Sequence, residues 1–252
     1  MRDLNINKCI DDMCAFLSHE FKKAGFNKAV LGLSGGLDSA VVAFLAVKSL
    51  GRENVVAIKL PYKTSSEESI IDADLVIEKT GMPSRHFEIT PVVDKFAELS
   101  GCMNPLRMGN VMARIRMTVL FDKAMAKNAL VLGTSNKSEI LLGYGTLFGD
   151  MASIINPIAP FYKTEIKEIA KELGVPVSII NKKPSADLWQ DQEDEKELGF
   201  TYAEADEIMY LVFDTGNREA AIDKFGFNLV EKVTNRVTAN EYKSKLPIKF
   251  VL

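Results

Sequence analysis

The sequence predicts an α/β fold of three layers (α/β/α), in which a mostly parallel sheet lies between helices on both of its faces. Short apolar segments alternate along the chain with longer segments whose apolar residues recur at helical spacing, an order typical of parallel sheets. The chain has 252 residues, of which 47% are apolar, so it can bury such a sheet. We expect one domain over residues 1–252, with an α/β core at about 25–190 and a helical C-terminal extension at about 191–252.

The individual elements follow from local patterns. Ile10, Leu17 and Phe21 recur on one face of a first helix, and Gly25 follows as a stop. Ser65 and Glu68 have the spacing of a capping box for a later helix. Strands are predicted at Ala29–Leu33, Val55–Leu60, Ser84–Ile89 and Ala129–Gly133. Helices are predicted at Ala40–Ala46, closed by Gly51, and at Ser66–Thr80, Asn104–Asn128, Thr201–Thr215, Asn217–Phe225 and Asn228–Leu246.

The turn Ser34-Gly35-Gly36 joins the first predicted strand to the following helix. Glycines let the backbone approach an oxyanion, and the N–H groups and dipole of a helix N-terminus favour negative charge there. Asp38 lies in this cradle, where a carboxylate would repel a phosphate unless a divalent cation lay between them. The segment therefore predicts a site for a phosphate group together with a metal ion.

Other glycine motifs explain this segment less well. No Lys follows the glycines as in a Walker A loop, and the spacing is not G-x-G-x-x-G. Residues 32–36 match the G-x-S-x-G motif of α/β-hydrolases, but that fold needs a His late in the chain. Here His19 precedes the serine and His86 lies in a predicted strand. A glycine turn that serves packing alone would explain neither Ser34 nor Asp38.

Composition restricts the partners and the compartment. The net charge of −3 argues against enzymes that act on tRNA, which need a basic face, so we expect no nucleic-acid partner. There is no long apolar run and the first residues are polar, so we expect no membrane contact and a cytoplasmic location. Cys9, Cys14 and Cys102 form no C-x-x-C pair, which favours reduced thiols and argues against a zinc site.

Polar segments follow the last predicted strand of the core. Thr134 to Glu139 come directly after that strand, and ligands of parallel sheets bind at the carboxyl ends of the strands. We therefore expect this segment beside the glycine turn. Three glycines between residues 143 and 149 predict a mobile loop near the site, with the role of a lid.

Several of these segments together resemble a known family. Ser34–Ser39 reads S-G-G-x-D-S and resembles, at every fixed position, the loop of the PP-loop ATP pyrophosphatases, whose fold is adenine-nucleotide α-hydrolase-like. The later segments GTSNKSE, GYGTxxGD, NPI, KTE and PSADL follow in the order of the bacterial ammonia-dependent NAD synthetases. This resemblance implies that ATP, Mg²⁺ and ammonia are used to amidate deamido-NAD, in a homodimer. The nicotinate carboxylate would first receive AMP from ATP, and ammonia would then displace the AMP.

The resemblance also implies site residues. Asp38 and Glu139 would hold Mg²⁺, for which carboxylate oxygens are suitable ligands. Arg114 and Lys243 would contact deamido-NAD. Asp150 would position or deprotonate the incoming ammonium, and Lys163 would neutralise charge that develops on the phosphates. The ATP contacts would be Gly32, Leu33, Ser34, Gly35, Gly36, Leu37, Asp38, Ser39, Thr134, Lys163 and Ser185.

Three positions depart from the family pattern. Leu147 and Ile154 are apolar where some members have a Lys and an Asp that contact deamido-NAD, and Tyr242 replaces a His. We therefore expect no charged contact with deamido-NAD from these three positions. The way in which the dinucleotide is held stays open. Only one helix precedes the first strand, so we expect no N-terminal glutaminase domain and the use of free ammonia.

Structural alternatives exist for single residues and for the whole chain. Lys163 could be an exposed residue of a first helical turn, and Asp150 a loop acid without a chemical role. Arg114 could be a surface ion-pair partner, with Arg116 as a nearby competitor for its role. For the whole chain, the alternatives are another PP-loop ligase or sulfurtransferase and a nucleotide-binding module without catalysis.

Overall fold

A parallel sheet of four strands forms the centre of the protein. The computed structural model describes residues 2–101, 104–185, 187, 189, 192–244 and 250; Cys102 lies outside them. Within these residues the strand order is β3-β2-β1-β4 and every pair is parallel, as predicted. The strands are β1 (Ala29–Gly32), β2 (Val55–Lys59), β3 (Ser84–His86) and β4 (Leu130–Val131). All four are shorter than predicted, β1 and β2 by one residue each and β3 and β4 by three.

Twelve α-helices are found in the described residues. They are α1 (Ile6–Ala24), α2 (Leu37–Leu50), α3 (Glu67–Thr80), α4 (Thr90–Ser100), α5 (Pro105–Lys127), α6 (Lys137–Leu142), α7 (Lys163–Leu173), α8 (Val177–Asn181), α9 (Asp194–Leu198), α10 (Tyr202–Met209), α11 (Arg218–Phe225) and α12 (Phe227–Asn240). A π-helical turn continues α10 to Asp214, and a 3₁₀ turn follows α12 at Glu241–Lys243. Among the described residues, no helix is both long and apolar enough to cross a membrane.

Helices cover both faces of the sheet, which confirms the three-layer prediction. On one face α1, α2 and α7 pack together around Phe21, Leu45 and Ile166. On the other face α5 packs on β1 and β4 through Met112 and Val119. The parallel strands therefore all end at one edge of the sheet. Helices of both layers begin or end near this edge.

The predicted capping box at α3 is wrong by one residue. The N-cap is Ser66, whose hydroxyl accepts a hydrogen bond from the Ser69 N–H at 3.2 Å. The hydroxyl of Ser65 instead accepts from the Tyr62 N–H in the preceding turn. Ser65 is therefore engaged by the turn that leaves β2, and Ser66 is free to cap the helix.

The C-terminal extension is helical, as predicted, and has its own apolar core. Helices α10, α11 and α12 pack around Ile208, Val230 and Val233, and they enclose Leu142 at the end of α6. Hydrogen bonds from α6 and α7 to the buried Asp206 of α10 connect this core to the sheet domain.

Candidate active site

A cavity of about 950 Å³ opens at the carboxyl edge of the sheet. Its walls come from the loop between β1 and α2, from α5, from the loop that follows α6, and from the first residues of α7. Further parts of the wall are contributed by several of the described residues between 182 and 197, and by Arg236 and Lys243 at the C-terminal end. The cavity therefore lies where the sequence predicted ligand binding.

The glycine turn is held in one conformation by hydroxyl groups. The Ser34 hydroxyl accepts from the Gly36 N–H at 3.2 Å and lies 3.1 Å from the Ser39 hydroxyl, which donates to the Gly36 carbonyl at 3.0 Å. Gly35 has φ = +79°, and a Cβ there would lie 2.1 Å from the Ser69 carbonyl oxygen. No side chain caps the first turn of α2, which leaves N–H groups available for an anion.

The ammonium group of Lys163 lies between two carboxylates. Its Nζ is 2.5 Å from Asp38 Oδ2 and 3.1 Å from Glu139 Oε1. Asn136 donates to the other Asp38 oxygen at 2.8 Å. Lys163 is 5% exposed, so the alternative of an exposed first-turn lysine is wrong. The three charged groups come from α2, α6 and α7, which meet at this edge of the sheet.

The two acidic partners are positioned by their helices. Asp38 is in the first turn of α2, and Glu139 is the third residue of α6, where it forms a capping box with Asn136. Glu139 Oε2 accepts from the Asn136 N–H at 3.2 Å, which leaves Oε1 for Lys163. The sequence GTSNKSE thus encodes a cap that also orients a carboxylate.

Burial perturbs the titration of these groups. Burial raises the pKa of Glu139, and the charge of the neighbouring Lys163 ammonium opposes this rise. Burial by itself would lower the pKa of Lys163, but the charge of Asp38, followed by that of Glu139, raises it above its ordinary value. Lys163 therefore stays an ammonium ion at neutral pH, and perturbed groups of this kind in a cleft are typical of functional sites.

The donor set fits a magnesium ion that also binds phosphate. Asp38 and Glu139 already hold one cation between them, the Lys163 ammonium. Within the described residues, no cluster of three or more His, Cys, Asp or Glu side chains has the arrangement of a metal site. Two carboxylates are nevertheless sufficient for Mg²⁺ when phosphate oxygens and water complete its coordination.

The loop that follows α6, residues 143–153, contributes a further part of the cavity wall and is called the glycine loop below. Asp150 Oδ1 accepts from the Thr146 N–H at 2.9 Å, and its carboxylate faces the cavity. Enclosure raises the pKa of Asp150, and the Thr146 N–H opposes this shift. Lys243 donates to the carbonyls of Gly143 at 2.7 Å and Gly145 at 3.3 Å, so the C-terminal turn fastens this loop.

Most of the predicted site residues line this cavity, but Arg114 does not. The lining includes Thr134, Lys163, Ser185, Asp150 and Lys243 together with the glycine turn apart from Gly35. Arg114 is exposed on the outer side of α5, where its Nε donates to the Leu147 carbonyl at 3.2 Å. Its predicted contact with deamido-NAD therefore requires a dinucleotide that extends beyond the cavity, or a second copy of the chain.

The three departures from the family pattern also lie off the cavity wall. Leu147 is half-buried, and Ile154 and Tyr242 are exposed. None of them lines the cavity. Their missing charges therefore remove no charged side chain from the cavity wall itself.

Several cavity residues were not found by sequence reasoning. Lys182 lies near the glycine turn, where it pairs with Asp72 at 2.8 Å. The Tyr144 hydroxyl lies 3.0 Å from an Asp194 oxygen and 2.8 Å from a Glu197 oxygen, so it can donate to either and connects the glycine loop to α9. No local pattern marks Lys182, because it reaches the cavity from a distant part of the chain. Tyr144 lies within the loop that was predicted near the site, but its contacts with α9 could not be expected from the sequence. Arg116 also lines the cavity, and it was considered only as a competitor of Arg114.

Known proteins similar to this chain are found both among family models and among individual sequences. A family model described as NAD synthase matches residues 9–247. An NH(3)-dependent NAD(+) synthetase of Fusobacterium nucleatum is 48% identical over 248 residues, which cover 98% of this chain and 96% of that protein.

Solved structures share the fold over nearly the full length of the chain. An NMN synthetase from Francisella tularensis has a TM-score of 0.89 at 33% identity and covers 99% of this chain and 100% of its own. An NH3-dependent NAD synthetase from Campylobacter jejuni has a TM-score of 0.85 at 35% identity, with 98% and 100% covered.

Proposed function

The chain belongs to the NAD synthase family, and from this premise we propose how its cavity forms NAD. The protein is an enzyme of NAD synthesis that performs an ammonia-dependent amidation. We infer that the acid amidated is deamido-NAD and that ATP activates it. The observation that carries this proposal is the Lys163 ammonium between Asp38 and Glu139, beside a helix N-terminus able to bind phosphate.

The first step requires two anions to meet. An oxygen of the nicotinate carboxylate attacks the α-phosphorus of ATP, and pyrophosphate leaves. Free N–H groups at the start of α2 are suited to bind the departing pyrophosphate. The ammonium of Lys163 neutralises charge on the phosphates. Asp38 and Glu139 would hold Mg²⁺, which would supply further charge neutralisation to the phosphates.

The second step is attack by ammonia on the carbonyl carbon of the acyl adenylate. AMP leaves, and the nitrogen loses a proton. Asp150 faces the cavity, and as a carboxylate it can hold ammonium and accept its first proton, which releases the ammonia that attacks. The second proton leaves the nitrogen after the attack and is taken up by the departing AMP or by water. No covalent bond to the enzyme is needed, so catalysis depends on alignment and on charge neutralisation.

The test is a direct assay of the products. The protein is mixed with ATP, Mg²⁺, ammonium and deamido-NAD, and NAD and AMP are quantified together. Equal amounts of both are expected. Nicotinic acid mononucleotide serves as a second acceptor, because the Francisella neighbour is described as an NMN synthetase. If no AMP is released with either acceptor, the assignment is contradicted. AMP release with another acid instead would favour a different PP-loop ligase.

The assembly and location of the enzyme are part of the same proposal. We expect a homodimer, which sedimentation equilibrium of the purified protein tests directly. A mass of one chain over the concentration range of the activity assay would exclude the dimer. We also expect the protein in the cytoplasm, which cell fractionation would test.

A further inference from the structure

Helix α5 presents one face to the cavity, and that face carries an arginine. Leu106, Asn110, Ala113, Met117 and Leu120 line the cavity at the spacing of one helical stripe. Arg116 follows Ala113 by three positions and precedes Leu120 by four, so it belongs to the same side. Arg114 is two positions away, about 200° around the helix, and points outward. Only one of these two arginines can therefore face the cavity, and it is Arg116.

The guanidinium of Arg116 has most of its donors free for a ligand. Its Nε donates to the Leu60 carbonyl at 3.0 Å, at the carboxyl end of β2. Among the described residues, Arg116 makes this one hydrogen bond and forms no ion pair. A guanidinium has five N–H donors, so one backbone acceptor leaves four of them available. This side chain is half-buried, and no fully buried polar atom lacks a partner in the described part of the chain. The remaining donors therefore face the cavity.

The charges around Arg116 do not neutralise it by contact. Asp187 and Asp150 are the acids that act on it, and neither is within ion-pair distance. Enclosure lowers the pKa of Arg116, but an arginine stays charged in proteins. By contrast, Lys163 and Lys182 on the PP-loop side are already paired with carboxylates. A positive charge enclosed in a cavity without a contacting carboxylate favours an anionic ligand.

We propose that Arg116 binds a phosphate group of a nucleotide substrate inside the cavity, as a residue of substrate binding that is distinct from Arg114. The planar fork of an arginine matches two oxygens of a phosphate, and such paired charged bonds are stronger than neutral ones. The proposal rests on the proposed function, in which both ATP and deamido-NAD carry phosphates. Either of them can supply the group, and separate binding measurements distinguish them.

The experiment compares Arg116→Met, Arg116→Lys and Arg107→Met with the unmodified protein. Arg107 lies on the same helix but is exposed and does not line the cavity, so it is the matched control. Isothermal titration calorimetry measures Kd for ATP with Mg²⁺ alone and for deamido-NAD alone. Arg116→Met should weaken at least one of these ligands about tenfold or more, as expected for a lost hydrogen bond to a charged group. Arg116→Lys should weaken it less, and Arg107→Met should change it less than about twofold.

Adenosine provides the control that separates phosphate binding from other roles. Adenosine lacks phosphate, so Arg116→Met and the unmodified protein should bind it with the same affinity. This affinity is measured by competition. An equal loss for adenosine and ATP would overturn the proposal in favour of contact with the base or a structural role. Unchanged affinity for both ATP and deamido-NAD would also overturn it. If Arg116→Met does not fold, the same comparison with Arg116→Lys decides. NAD formation by the unmodified protein tests the proposed function separately.

Discussion

The buried carboxylate of Asp206 connects the C-terminal helices to the site, and its removal should destabilise the protein strongly. Ser138 donates to Oδ1 at 2.5 Å, and the backbone N–H and the hydroxyl of Thr164 both donate to Oδ2 at 2.9 Å. Ser138 in turn accepts from the Lys163 N–H at 2.8 Å. Asp206→Ala therefore leaves three donors without an acceptor next to Lys163.

The magnitude follows from two opposing effects. A buried donor without a partner costs about 2 kcal/mol, so three of them cost about 6 kcal/mol. Burial, opposed by these hydrogen bonds, raises the pKa of Asp206 from 3.8 to about 6, which corresponds to a net cost of about 3 kcal/mol for the charged form that the alanine variant avoids. We therefore expect Asp206→Ala to lower the free energy of unfolding by about 3 kcal/mol at pH 7.5.

The pH dependence has a defined sign. A carboxyl group with a raised pKa stabilises the folded state fully below its unfolded pKa of 3.8, and this contribution is lost as the pH rises through about 6. The alanine variant lacks this contribution at every pH. The difference between the two proteins should therefore be larger at pH 4.5 than at pH 7.5, by about 2 kcal/mol.

Urea unfolding followed by circular dichroism measures both quantities. Glu207→Gln is the control, because Glu207 is the next residue of α10 and pairs with Lys224 nearer the surface. Such a pair contributes less than about 1 kcal/mol. If Asp206→Ala loses no more stability than this control, or if the difference is the same at both pH values, the reasoning about the buried network is wrong.

Four further predictions concern the site. Asp38→Asn and Glu139→Gln should each lower kcat about 100-fold or more in protein that is still folded by circular dichroism, and near-normal turnover at saturating Mg²⁺ would contradict the metal assignment. Thermal melting should fall in both variants, because the buried Lys163 ammonium loses a carboxylate partner. Gly35→Ala should abolish ATP binding in calorimetry, because its Cβ would lie 2.1 Å from a backbone oxygen; normal binding would show that the turn can relax. Tyr144–Ser153 should gain protection from amide hydrogen exchange when ATP and deamido-NAD bind, and equal protection would exclude a lid. The 252-residue chain should form NAD from ammonium, increasingly at higher pH, and synthesis from glutamine in ammonia-free buffer would refute this.

The sequence by itself determined the local structure of the site. Ser34-Gly35-Gly36 between an apolar strand and a helix specifies a turn whose conformation depends on adjacent residues alone. The segment Asn136 to Glu139 specifies a helix cap for the same reason. Parallel strands end at one edge of their sheet, so these two segments could be expected side by side before any tertiary structure was known.

Only the tertiary structure decided which charged groups meet. The ammonium of Lys163 lies against Asp38 and Glu139, which are 125 and 24 positions away in the chain, and no periodicity encodes such a contact. The choice between Arg114 and Arg116 depends on how α5 is rotated on the sheet. Apolar residues spread around that helix leave the rotation undetermined until β1, β4 and the cavity wall are in place. Side chains are assigned to elements by local sequence, but their partners are selected by packing across the whole fold.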